Sequence, residues 1–220
     1  MTATRRNQIV IGLLIALGLP FCHLGNLGKA YSGLGPRFGG EVVWWLLFVV
    51  ILVYVRRVER EPLASIGYRA PGWANIGLGF AFAIIAIVGI GVISAVVLPA
   101  LRLEVKAQIT SLFQEPFWFR VLLVTRAAFV EETAFRGYGF ERLTELSGST
   151  WLAAVVTCGL FTLAHYAGGG LGQVLIALWG GVVLTALYMW RRNLWAAILC
   201  HWLTDAAGFL LVPMAGPHRA

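Results

Sequence analysis

Two adjacent carboxylates, Glu131 and Glu132, lie inside the otherwise apolar run Phe129-Val130-Glu131-Glu132-Thr133-Ala134-Phe135-Arg136. A charged side chain deep in such a segment costs roughly 3 kcal/mol or more, so it is functional by default and its partner must be found. Glu132 and Arg136 are four residues apart with the acid first, the favourable order for an ion pair along one helix face. Glu131 points about 100° further round a regular helix and has no such local partner. This asymmetry predicts different tasks: Glu132 is neutralised and structural, while Glu131 is left free to titrate. A desolvated carboxylate without a cation is poised to act as a general base near neutral pH.

Further polar groups recur downstream. Phe161-Thr162-Leu163-Ala164-His165 places Phe161 and His165 one turn apart, and His201-Trp202-Leu203-Thr204-Asp205 places His201 and Asp205 on one face. Three apolar segments thus each offer a polar group to a common interior. If the helix bearing Glu131 continues to about Leu146 and turns through Ser147-Gly148-Ser149-Thr150, Glu131 and His165 sit level, roughly 20 Å from that shared end. His201, nine residues beyond Arg192, is compatible with this level. His23 stands apart and is read as a hydrogen-bonding group between helices.

The elements that must position these residues are membrane helices. Of 220 residues 59% are hydrophobic and 12% charged, with a mean hydropathy of +0.80, too few charges to clothe a soluble domain. Seven apolar segments are drawn, roughly 8–26, 38–55, 74–99, 117–140, 151–167, 171–190 and 194–213. Each approaches the length of about 20 residues that a spanning helix needs. Alternating, barrel-like patterns are absent, so the expected fold is all-α: one polytopic helical bundle of about seven spans over residues 1–220, with the core helices at 115–212. Glycines at Gly168-Gly169-Gly170, Gly172 and Gly180-Gly181 mark expected close helix approaches.

The net charge of +7 comes from short basic runs at segment ends, with no stripe or motif for nucleic acid, so its expected partner is the bilayer. Arg5, Arg6, Arg56, Arg57, Arg60, Arg69, Arg142, Arg191 and Arg192 fall on one side of a seven-span arrangement, and Lys29, Arg37, Arg102, Lys106 and Arg219 on the other. The positive-inside rule then places the N-terminus in the cytoplasm and the chain in the cell membrane. The apolar run after Arg5-Arg6 imitates a signal peptide, but Pro20-Phe21-Cys22 offers no cleavage site, and a retained first span is expected. Cys22, Cys158 and Cys200 show no metal-ligand spacing and are expected to be free, buried thiols.

Over residues 115–212 the ordered trio Glu131-Glu132-x-x-x-Arg136, Phe161-x-x-x-His165 and His201-x-x-x-Asp205 resembles the CAAX protease and bacteriocin-processing (Abi) family of membrane proteins, in its bacterial branch. The resemblance implies a glutamate-dependent intramembrane endopeptidase acting on a peptide or a membrane-associated protein, with no cofactor. Carried over by it, Glu131 and His165 would hold and deprotonate a water, His201 and Asp205 would steady the oxyanion, and Glu132 and Arg136 would brace the site. Such a division meets the needs of hydrolysis in a low-dielectric cavity: a base for the water and preorganised donors for the developing charge. The family's prenyl endopeptidase carries Asn at the place of Asp205. An ionised Asp205 would repel an oxyanion, so it acts either protonated or by orienting His201.

Other readings use the same residues. His165, His201, Glu131 and Asp205 could form a zinc site, although no H-E-x-x-H helix is present. A non-proteolytic membrane partner, such as a bacteriocin-immunity factor, is the alternative from another class. A transporter lacks the expected paired half-repeats, and a Cys200 nucleophile would point about 100° away from His201.

Overall fold

The computed structural model describes residues 1–22 and 34–211. Every element among them is helical, and the long helices coincide with the seven apolar segments. Helix α1 covers 3–22 and α2 covers 34–58, each closing in a wider or tighter turn. Helix α3 is Gly72–Ala100. Helix α4 covers 117–147, α5 is Thr150–Ala164, α6 is Tyr166–Arg191 and α7 is Leu194–Leu211. A short helical hook, 107–114, joins α3 to α4.

Among the described residues four helices are long and apolar enough to cross a membrane: Phe38–Val58, α3, α6 and α7. Helix α5 is apolar but shorter. Helix α4 is long but carries the charges that the site requires, and burial by its neighbours replaces lipid around it. The outward faces of α2 and α3 are greasy, with Leu46, Val49, Val50, Phe80, Ile84, Val88 and Val92 all exposed, as suits surfaces that meet acyl chains. The fold is thus a membrane-embedded helical bundle. The end of the first expected span, with His23, and the last two residues of the seventh lie outside the described residues.

Local sequence explains the turns that set the helices against one another. Gly148 ends α4 in the left-handed conformation, at φ 70°, and its N–H closes on the Thr144 carbonyl. Ser149 then caps α5 by accepting from the Leu152 N–H. Asn193 caps α7 in the same way, accepting from the Ala196 N–H. The expected glycine approaches are met only in part. Gly181 packs close to Cys158 and Phe161, and a methyl group there would lie 3.2 Å from both; Gly168 and Gly180 touch nothing so closely. Gly170 instead kinks α6 with a φ of 72°.

The bundle has two dissimilar ends. Arg5 bridges to Glu145, and Arg142 to Glu59; Arg192 pairs with Glu141, and Arg191 donates to Asn75. These contacts gather the termini of α1, α2, α4 and α6 with the start of α3. At the opposite end Lys106 hydrogen-bonds the Gly169 and Ala167 carbonyls, which ties the hook to the α5–α6 corner. Cys158 and Cys200 are free thiols, half-buried and buried respectively, and the side chain of Cys22 lies outside the described residues.

Candidate active site

Helix α4 changes its winding at the site. Phe117–Arg126 and Phe140–Ser147 are α-helical, but Ala127–Gly139 is a π-helix, the wider winding that recurs at functional sites. Nearly all of this stretch is buried, and it packs against α1, α2, α5 and α7. The winding rearranges which side chains meet. Arg126 Nη1 donates to Glu131 Oε1 at 3.0 Å, a pairing five residues apart that a regular α-helix does not favour.

Glu131 is therefore not the unpaired carboxylate that the α-helical reading predicts. That expectation fails because it assumed 3.6 residues per turn where the chain has an i→i+5 register. Arg126 is itself held by α2: its Nε donates to Glu41 Oε2 at 2.9 Å and its Nη2 to Glu41 Oε1 at 3.4 Å, while the guanidinium lies over Trp44 at 5.6 Å. Glu41, 7% exposed, was missed by the sequence reading, although its signal was present: a single acid in the apolar run Gly39-Gly40-Glu41-Val42-Val43.

Glu132 and Arg136 form the ion pair that their spacing predicts, at 2.8 Å and with both side chains fully buried. Arg136 also donates to the Gly181 carbonyl at 3.1 Å and stacks on Phe161 at 4.1 Å. Glu132 Oε1 takes a second donor, His201 Nδ1, at 2.8 Å. The other edge of the His201 ring faces its own helix, with Nε2 3.5 Å from Asp205 Oδ2. Glu132 thereby links α4 to α6 through Arg136 and to α7 through His201.

His165 stands at the corner between α5 and α6, where its Nδ1 lies 2.8 Å from the Phe161 carbonyl. A carbonyl can only accept, so Nδ1 carries the hydrogen and a neutral ring keeps its Nε2 lone pair free. The Phe161 and His165 rings meet at 4.7 Å. Phe161 is thus the contact of both Arg136 and His165.

These groups border one cavity of about 180 Å³. Glu131, His165, His201 and Asp205 all line it, with Arg126, Gln173 and Thr204 as further polar members. Ile109 and Leu112 of the hook and Phe209 of α7 contribute apolar wall. The volume accommodates several waters or a length of peptide backbone, and it lies in the half of the bundle nearer the hook. Glu132 and Arg136 do not line it; they lie behind, in the packing. Cys200 turns away into the α3–α7 core. Among the described residues no group of three or more His, Cys, Asp or Glu side chains is spaced to hold a metal ion.

No curated protein and no solved structure matches this chain. A family model does match: its span begins just before α4, ends within α7, and contains Glu131, Glu132, Arg136, His165, His201 and Asp205. Residues 113–207, which supply most of the cavity wall, are similar to the type II CAAX prenyl endopeptidase Rce1-like family.

Proposed function

We propose that the protein is an intramembrane endopeptidase that hydrolyses a peptide bond in a peptide or membrane-associated protein, using a water activated by Glu131 and His165. The observation that carries this reading is the shared cavity, bordered by a carboxylate and two imidazoles from three helices, within a stretch similar to a family of CAAX endopeptidases. Glu131 binds Arg126 through Oε1, which leaves Oε2 to accept one hydrogen of the water. His165 Nε2, unprotonated while Nδ1 bonds Phe161, accepts the other and aims the oxygen lone pair at the scissile carbonyl.

As the water oxygen bonds to the carbonyl carbon, its proton passes to Glu131 and negative charge collects on the former carbonyl oxygen. His201 is the donor for that oxyanion. With Nδ1 committed to Glu132, only the imidazolium has a hydrogen left on Nε2 to give. Asp205, beside Nε2, acts by orienting this ring. Collapse of the tetrahedral adduct breaks the carbon–nitrogen bond, and Glu131 returns its proton to the departing amine. These steps are written without a metal.

The arginine-rich end, which includes Arg5, Arg142 and Arg192, is assigned to the cytoplasm by the positive-inside rule, so the cavity beneath the hook opens toward the opposite leaflet. Comparative peptidomics of cells producing the wild-type protein or Glu131→Ala tests the activity and identifies the substrate together. Precursors that accumulate only with the variant support the endopeptidase. An unchanged peptide profile with an unchanged cellular phenotype supports a non-proteolytic membrane partner instead.

A further inference from the structure

Beside the six motif residues, the cavity has a shielded ion pair that the proposed steps do not use, Arg126 with Glu41. They form a chain that begins on α2, crosses to α4 and ends on Glu131. Glu41 takes two of the three guanidinium nitrogens of Arg126, side by side, and Glu131 takes the third. Both partners are shielded: the Arg126 side chain is 12% exposed and that of Glu41 9%. Shared with a second carboxylate, the guanidinium fixes Glu131 in position through one hydrogen bond while most of its charge is balanced by Glu41.

We propose that Glu41 and Arg126 are a positioning pair, in which Arg126 orients Glu131 toward the cavity and Glu41 limits the positive charge that Glu131 meets. This rests on the reading of Glu131 as the base. The pair explains why α2, which adds none of the six motif residues, is held against the π-wound stretch at this level. Trp44, one turn of α2 beyond Glu41, covers the outer face of the guanidinium and keeps it from lipid.

The charged groups around Glu131 are few. Arg126 comes from its own helix and Glu41 from α2, His165 from the α5–α6 corner, and His201 and Asp205 from α7. Helix α3 and the hook contribute only Ala86, Ile90, Ile109 and Leu112, and α6 contributes the neutral Gln173.

The pair predicts a loss in kcat rather than in KM or Tm, with partial rescue by a conservative variant, which a merely structural bridge would not give. The full-length protein in detergent is assayed with fluorescence-quenched CAAX peptides, wild type and Glu131→Gln beside Arg126→Gln, Arg126→Lys and Glu41→Gln. Arg126→Gln is expected to lower kcat about 10-fold or more at little-changed KM, because Glu131 is no longer held toward the cavity, and Arg126→Lys, which keeps one donor, to recover part of the loss. Glu41→Gln, which leaves Arg126 to Glu131 alone, is expected to lower kcat as well. The double variant Glu41→Gln with Arg126→Gln removes both members of the pair together and is expected to follow Arg126→Gln; it decides the matter if that single variant does not fold. Wild-type kcat in Arg126→Gln or in the double variant overturns the pair, and it leaves the endopeptidase standing when Glu131→Gln is inactive. A wild type that cleaves none of the peptides while Glu131→Gln behaves identically discards the endopeptidase and the pair with it.

Discussion

Arg126 Nη1 lies 3.0 Å from Glu131 Oε1, five residues along a helix whose winding widens to an i→i+5 register immediately after Arg126. The same winding leaves Glu132 paired with Arg136 and sends its shared oxygen to His201. One irregular stretch of α4 thus presents two neighbouring carboxylates to two different arginines, one carboxylate facing the cavity and one buried behind it.

Glu132, Arg136 and His201 predict a sharp separation of stability from activity. Arg136→Met leaves the fully buried Glu132 with His201 alone in place of two donors and is expected to cost about 3 kcal/mol, seen as a fall in Tm in detergent. Adding Glu132→Leu removes the under-paired carboxylate and is expected to recover part of that loss. The recovered double variant remains inactive, because His201 has lost the acceptor that fixes its ring.

His165→Ala is expected to lower turnover by about 10²-fold or more with little effect on Tm, since the ring is half-buried and its one hydrogen bond is to the carbonyl of Phe161 on its own helix. His165→Gln, which offers an acceptor at a similar reach, is expected to retain more activity than Ala. Equal activities for the two variants would show that His165 does not orient the water.

How much of this was legible in the sequence follows from its physics. Apolar length and sparse charge mark the seven segments, because the bilayer leaves a helical bundle as the solution for such a chain. The Glu132–Arg136 pair follows from spacing, and it survives the change in winding because a long guanidinium can reach either register. The Arg126–Glu131 pair was not legible, because nothing in Ala127-Ala128-Phe129-Val130 announces a π-helix. Glu41 was visible as a lone acid in a span, but its partner lies 85 residues away on another helix. The link from His201 to Glu132 likewise depends on how α4 and α7 pack, which no local pattern encodes.

The Arg5–Glu145 bridge predicts a pH dependence at the arginine-rich end. The hydrogen bond from Arg5 holds the Glu145 carboxyl below its ordinary value, against the upward push of partial burial. A carboxyl lowered in the folded state adds stability that is complete above its unfolded value, near 4.5, and is lost as pH falls through the lower, folded one. Wild type is therefore expected to exceed Glu145→Gln in Tm at neutral pH, with the difference fading below about pH 4.5 and shrinking in high salt. With the Glu145 side chain 35% exposed, screening limits the effect to under about 1 kcal/mol.

Cleavage is expected to persist after exhaustive treatment with a chelator and to be unchanged by added zinc, because the catalytic donors are spread around the cavity and bonded to the protein. Loss of activity on chelation, restored by zinc, would replace the water-activating role of Glu131 with that of a metal ligand.

The central claim is that Glu131 activates water in a cavity shared with His165 and His201. Its most direct test is the cleavage of fluorescence-quenched peptides, with and without a prenylated CAAX terminus, by purified protein in liposomes, wild type beside Glu131→Gln. The account predicts hydrolysis by the wild type and a loss of about 10²-fold or more in the variant at unchanged Tm. Cleavage by Glu131→Gln at the wild-type rate would contradict it.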